Sequence, residues 1–230
     1  MEEVKQVCET YHEAPVEALH HRRTLSIDEN TGIQALERKS PTKAMEPGKP
    51  QRIEFEYIRH GTLSLIANFD VVTGQVICPS IAETRNEQDF CAHIRRLILS
   101  DPQAKEWVFV TDQLNTHKSE SLVRLVAELC NLKDDLGIKE KEGILKSMES
   151  RAQFLKEPTH TIRFVYTPKH CSWLNQIEIW FGILTKKLLK KGNFSSKESL
   201  KIKLLEFIDY FNRTMAKPFK WTFKGLPLKA

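Results

Sequence analysis

Two short apolar runs in this chain each end on an aspartate. Thr24-Leu25-Ser26-Ile27 ends on Asp28, and Trp107-Val108-Phe109-Val110-Thr111 ends on Asp112. Runs this short, rich in β-branched and aromatic residues, suit strands buried inside a sheet. Where such strands are parallel, their C-terminal ends present side chains to a shared crevice. A third acid, Glu178, lies within the otherwise apolar stretch Trp173 to Phe181. Carboxylates are rarely left in apolar surroundings unless they pair or hold a cation. Three that converge make an oxygen-rich cage suited to Mg²⁺ or Mn²⁺, the ions of phosphoryl transfer. The chain has 30 acidic residues, so the spacing of this trio is weak evidence and its local context carries the reading.

The rest of the pattern supplies an α/β frame. Glu2 to Leu19 is mildly amphipathic and holds Pro15, so it is expected to be a helical arm outside the core. Arg23 to Asp28 reads as a short buried strand, and Glu37 to Arg59, with Pro41, Pro47, Gly48 and Pro50, as a long irregular loop. Thr62 to Val71 and Gln75 to Ile81 flank Thr73-Gly74 as a hairpin. Asn86 to Leu99 and Ser119 to Leu129 have helical spacing, Trp107 to Thr111 and Thr161 to Thr167 read as strands, and Ser172 and Ser196 are candidate caps for helices to about Lys191 and Asn212. Asn131 to His160 is highly charged, with a weak apolar stripe of Ile144, Leu145, Met148 and Leu155. This order gives a mixed sheet layered with helices.

The formal charge of +5 is unevenly spread: residues 185–230 carry twelve Lys or Arg against three acids. A basic end on a near-neutral body fits a polyanion such as nucleic acid, and equally a solvated surface. Five scattered cysteines read as reduced intracellular thiols, and no apolar run has the length of a membrane helix. Around Glu178, Leu174, Ile177, Phe181, Leu184 and Leu188 form a core-facing stripe, while Asn175 and Gly182 flank the carboxylate on its own face. Trp173 and Trp180 read as core anchors, and Trp221 as either a core residue or a base-stacking platform.

Four segments together resemble one family: Ser26-Ile27-Asp28-Glu29, Tyr57-Ile58-Arg59-His60-Gly61-Thr62, Val110 through His117, and Tyr166-Thr167-Pro168-Lys169-His170-Cys171-Ser172-Trp173-Leu174-Asn175-Gln176-Ile177-Glu178. From about Leu25 onward the chain resembles the catalytic domain of bacterial insertion-sequence transposases of the mariner superfamily. The resemblance implies a ribonuclease H-like fold, a mixed five-stranded sheet flanked by helices, with Asp28, Asp112 and Glu178 as catalytic residues holding two Mg²⁺ or Mn²⁺ ions. It implies cleavage and strand transfer on double-stranded DNA, a homodimer or larger assembly, and a place in the bacterial cytoplasm beside the nucleoid. A nuclease without strand transfer, or a truncated remnant that only binds DNA or partner subunits, are the alternatives. Residues 1–22 then read as an arm left from a linker to a helix-turn-helix region. Residues 23–230 read as the catalytic domain, with an insertion at 131–160 expected to be a surface helix or a flap. Asn115, His117 and Asn175 are expected beside the carboxylates. Arg59, His60, Lys169, His170, Lys186, Lys187, Lys190 and Lys191 are expected to contact DNA, although lysines ending a helix also complement its dipole whatever the function.

Overall fold

The computed structural model describes residues 2–41, 43–52 and 54–225. In chain order the elements are α1 (Glu2–Glu17), β1 (Arg22–Arg38), β2 (Tyr57–Asp70), β3 (Val76–Ala82), α2 (Glu87–Leu99), β4 (Glu106–Thr111), α3 (Glu120–Leu129), α4 (Met148–Lys156), β5 (Ile162–Tyr166), α5 (Gln176–Leu184) and α6 (Lys197–Thr214). The strands form one five-stranded sheet in the order β3-β2-β1-β4-β5. β1 pairs antiparallel with β2, and β2 with β3, whereas β1–β4 and β4–β5 are parallel.

Side-chain alternation divides the core in two. On β4, Val108 and Val110 join a cluster with α1, α5 and α6, while Trp107 and Phe109 face the opposite way into a cluster with α2, α3 and α4. Each fully buried large apolar side chain contributes roughly 1.5–3 kcal/mol, so the short β4 strand, covered on both faces, is the natural spine of the sheet. The helix starts predicted at Asn86, Ser119 and Ser196 are all capped by those side chains, Asn86 through a reciprocal capping box with Asp89.

Several expectations are corrected. α1 is part of the core: Val7, Cys8, Tyr11 and Ala14 are buried, and Pro15 falls in its last turn. β1 does not stop at Asp28 but continues through a bulge between Asn30 and Ile33 to Arg38. The irregular loop therefore shrinks to the tip of a long β1–β2 hairpin, because Ile33 and Ala35 bury the face that a short strand would leave open. Ser172 starts only a short 3₁₀ turn, Ser172–Leu174, and α5 begins at Gln176. Beyond Leu184 the helix widens into a π turn, Thr185–Leu189. The second half of the 131–160 segment is no flap, since Leu145, Ala152 and Leu155 are buried in the core beside β5. Trp180 is a core anchor as expected, but Trp173 is 54% exposed. Trp221 packs partly buried against the core, its ring 5.2 Å from that of Tyr11.

Candidate active site

Register brings the two aspartates together. Ser26 lies opposite Val110 in the parallel β1–β4 pair. Two residues further on each strand come Asp28 and Asp112, on neighbouring strands about 4.8 Å apart. Because side chains alternate, Ser26 and Asp28 share one face of β1 and Val110 and Asp112 one side of β4. That is the face covered by α5, which carries Glu178 in its first turn.

A buried amide ties α5 to β1. Asn175, wholly buried, donates through Nδ2 to Ile27 O and to Asp28 Oδ2, both at 3.1 Å, and its Oδ1 accepts from the Ser26 hydroxyl. The backbone N–H of Ile177 donates back to Ser26 Oγ at 2.8 Å. From α1, the Tyr11 hydroxyl donates to Leu174 O at 3.0 Å and so fixes the turn that precedes α5. Asn175 was expected from the sequence; the parts of Ser26 and Tyr11 were not.

The electrostatics of the carboxylates differ. Burial, and then the negative charge of Asp112, push the Asp28 carboxyl up to about 7. Glu178 is exposed, yet partial desolvation and the Asp112 charge raise it as well. Burial would raise Asp112 too, but the hydrogen bond and charge of His117 override it and hold Asp112 below the usual carboxylate range. Asp28 and Glu178 thus both feel the charge of Asp112.

His117 is fully buried, its ring packed 4.5 Å from that of Phe90. Its Nδ1 donates to Asp112 Oδ1 at 2.7 Å, beside the Thr111 hydroxyl at 2.9 Å. On the ring's far side Glu29 approaches: Oε1 lies 3.8 Å from Nε2, an ion contact too long for a hydrogen bond. The Glu29 side chain is 1% exposed, and its other oxygen accepts from Arg85 at 2.9 Å. Burial of the ring opposes protonation, but the two carboxylates outweigh it and lift His117 to about 9. An imidazolium is therefore held between Asp112 and Glu29. Glu29 is the residue the sequence reading missed; its signal was the adjacent acid of opposite strand parity, which places it on the α2 side.

The other expected residues are dispersed. Asn115 is exposed at a turn and makes no side-chain hydrogen bond to the trio. Lys186 and Lys190 line a groove of about 500 Å³ that also holds Glu29, Asn30, Glu178 and Gly182. A Cβ added at Gly182 would meet nothing within 4 Å, in keeping with the open face expected around Glu178. Lys187 is exposed on the same π turn, and Lys191 lines a separate hollow with Arg38 and Lys39. Lys169 borders a third groove, and His170, exposed, adopts a left-handed backbone with φ of 62°. Arg59 and His60 stand apart. Arg59 pairs with Leu36 and Asp28 with Ala67, so Arg59 is roughly 25 Å up the hairpin from the carboxylates. His60 is engaged by Glu37 at 2.7 Å.

Among the described residues, no three or more His, Cys, Asp or Glu side chains are arranged to hold a metal ion as they stand. The chemistry of the donor set nevertheless suits a hard divalent cation: oxygen ligands, Asp28 and Glu178 both raised by burial and the Asp112 charge, and a buried Asp28 whose nearest polar partners are neutral amides.

Residues 23–201 match the DDE superfamily endonuclease family, and the chain belongs to it. Its fold is ribonuclease H-like and is shared with solved structures of Mos1 mariner transposase. A Mos1 paired-end complex with left transposon end superposes with a TM-score of 0.57 at 17% identity, over 96% of this chain and 56% of that one. A Mos1 paired-end complex with Mn gives 0.54 at 16%, over 91% and 56%. The Mos1 catalytic domain with Raltegravir and Mn gives 0.53 at 15%, over 91% and 81%. This chain thus spans just over half the length of the Mos1 chains in the paired-end complexes. No curated protein matches it. No helix among the described residues is long and apolar enough to cross a membrane.

Proposed function

We propose that this chain is the catalytic domain of a DNA transposase of the mariner superfamily, in its bacterial insertion-sequence branch. The observation that carries the reading is the register that sets Asp28 beside Asp112 under the helix bearing Glu178, with Asp28 and Glu178 both feeling the Asp112 charge, inside the span matched to the endonuclease family. Asp28, Asp112 and Glu178 would hold two Mg²⁺ or Mn²⁺ ions. When bound, such ions activate a water or a 3′-hydroxyl and neutralise the leaving oxygen. The chain's own residues do the positioning. Asn175 and Ser26 set the α5 turn against β1, and His117, braced by Glu29 and Arg85, orients the Asp112 carboxylate. The groove with Lys186 and Lys190 runs from Glu178 and suits a DNA backbone. The two reactions are hydrolysis that frees an element end and attack of that 3′-hydroxyl on target DNA. The assembly is a homodimer or larger, acting beside the nucleoid in a bacterial cytoplasm. In this scheme α1 packs as part of the catalytic core, and 131–160 is an insertion.

The test is nicking of supercoiled plasmid by the purified chain in Mn²⁺, with Asp112→Asn alongside. Nicking that the mutant loses supports the reading, and joining of a pre-cut 3′-hydroxyl end to plasmid extends it to strand transfer. Nicking without joining assigns a nuclease. Silence from a folded protein in both assays overturns the enzyme in favour of a DNA-binding remnant.

A further inference from the structure

A groove of about 660 Å³, sharing no lining residue with the one beside Lys186, opens between the turn after β4 and helix α4. Gln113, which follows Asp112 directly, lines it and accepts from Lys118 Nζ at 3.0 Å, and Lys118, Lys156 and Lys169 border it. Three ammonium groups from three different elements therefore share one concavity. Two of them rest on the same buried ring: Lys118 Nζ is 4.9 Å and Lys156 Nζ 5.5 Å from the centroid of Tyr166.

The groove is rigidly built. Tyr166 is anchored by its hydroxyl, which donates to His117 O at 2.7 Å. Arg151 on α4 is buried and spends its guanidinium on backbone, donating to Lys118 O at 2.7 Å and to Leu145 O at 3.0 Å. It thereby locks α4 to the turn after β4 without neutralising any lysine. Acidic company is sparse: Glu149 lines the groove, and Glu3 approaches Lys156 only to 3.9 Å. Burial, and then the Lys156 ammonium, hold Lys118 below its ordinary value, so its charged form is under-compensated. Like charges gathered on a fixed wall favour an anion with regularly spaced charges.

We propose that this groove binds the sugar–phosphate backbone of DNA through Lys118, Lys156 and Lys169, guiding the strand to the carboxylates. DNA is favoured over an acidic peptide because the groove begins at the residue after Asp112 and because Asn115 adds a neutral hydrogen-bonding group beside the lysines, the Gln113 amide being engaged by Thr167 O and Lys118 Nζ. This deepens the proposed function and rests on it for the identity of the polyanion. It also gives the 131–160 segment a task, since that segment supplies Lys156 and the Arg151 lock.

The experiment measures binding of a fluorescent DNA duplex to the full chain in EDTA across a range of salt. Each phosphate contact contributes about 0.9 to the slope of log affinity against log salt. Lys118→Gln/Lys156→Gln/Lys169→Gln should flatten that slope by about 2–3, and an unchanged slope overturns the proposal. If the triple variant unfolds, Lys156→Gln alone decides: flattening by about one supports the groove and no change overturns it. Polyglutamate that competes as well as DNA at equal charge also overturns it, pointing to a protein partner. Wild-type nicking with an unaltered slope in the variant would sink the groove and leave the enzyme. A flattened slope without any nicking would sink the enzyme and leave the groove.

Discussion

The two aspartates at the heart of the site lie side by side on neighbouring strands but are held in opposite ways. Asp28 is 7% exposed and meets neutral donors only, the Asn175 amide and the Glu29 backbone N–H. Asp112 is 38% exposed on its side chain and hydrogen-bonds an imidazolium that Glu29 and Arg85 keep in place. Burial without a cation raises the first carboxyl, and a built-in cation lowers the second. The site is thus half neutralised by protein, and its outstanding charge deficit lies at Asp28, where an added cation would gain most.

The sharpest way to break this contrast is to remove the brace on the Asp112 side. Glu29→Ala strips one carboxylate from a buried His117 cation and leaves Arg85 unpaired, so urea unfolding should show a loss of about 3–5 kcal/mol. A loss below 1 kcal/mol would mean that His117 is neutral and the asymmetry false. On the Asp28 side the contacts are neutral and the expected cost is smaller. Asn175→Ala should lose about 2–3 kcal/mol, with an unchanged denaturant slope, as Ile27 O and Asp28 each lose a donor. A cost equal to that of Glu29→Ala would erase the distinction.

The third prediction sharpens the comparison through pH. Asp28 carries a raised folded pKa as an acid, so ionising it disfavours the fold, and metal-free stability falls as pH rises from about 4 to about 7. His117 carries a raised folded pKa as a base, so its stabilisation is full below about 6.5 and fades towards about 9. Asp112 and Glu29, both lowered, give the opposite trend, and their contribution is lost only in acid below about pH 4. Buried His93, lowered to about 3, offsets Asp28 below about pH 6.5, so the metal-free protein should hold a plateau from about pH 4.5 to 6.5 and lose stability towards pH 9. Because a cation at Asp28 competes with a proton, saturating Mn²⁺ should stabilise by about 2 kcal/mol more at pH 8 than at pH 5.5. Thermal melts at the two pH values decide it, and an equal Mn²⁺ shift at both would place the cation elsewhere.

Local pattern made much of the molecule legible. The alternation of Val108 and Val110 against Trp107 and Phe109 identifies a doubly buried strand, and the stripe through Ile177, Phe181 and Leu184 identifies the inner face of α5. The capping residues Asn86, Ser119 and Ser196 are equally readable, because a cap is satisfied within three or four residues of itself. Strand parity sets Asp28 and Asp112 on one face of the sheet, and the apolar stripe of α5 lays the helix that carries Glu178 over that face.

Other features depend on partners distant in sequence. β1 runs on to Arg38 because β2 is there to pair with it, not because residues 29–38 have strong strand character of their own. α1 enters the core because Tyr11 finds Leu174, 163 residues away, and Trp221 finds Tyr11. Arg59 and His60 are distant from the carboxylates because the hairpin is long, a length fixed only by its pairing. Glu29 gains its place from His117 and Arg85, which three-dimensional packing brings to the far face of the same strand. Periodicity and transfer energy are local, so the chain alone marks the inner faces of β4 and α5 and the acids set among apolar residues, while the burial of α1 and the exposure of Trp173 are not local properties. Only the tertiary structure decided which charge answers which, because Coulomb interactions and hydrogen bonds depend on distances that the chain fixes when it folds.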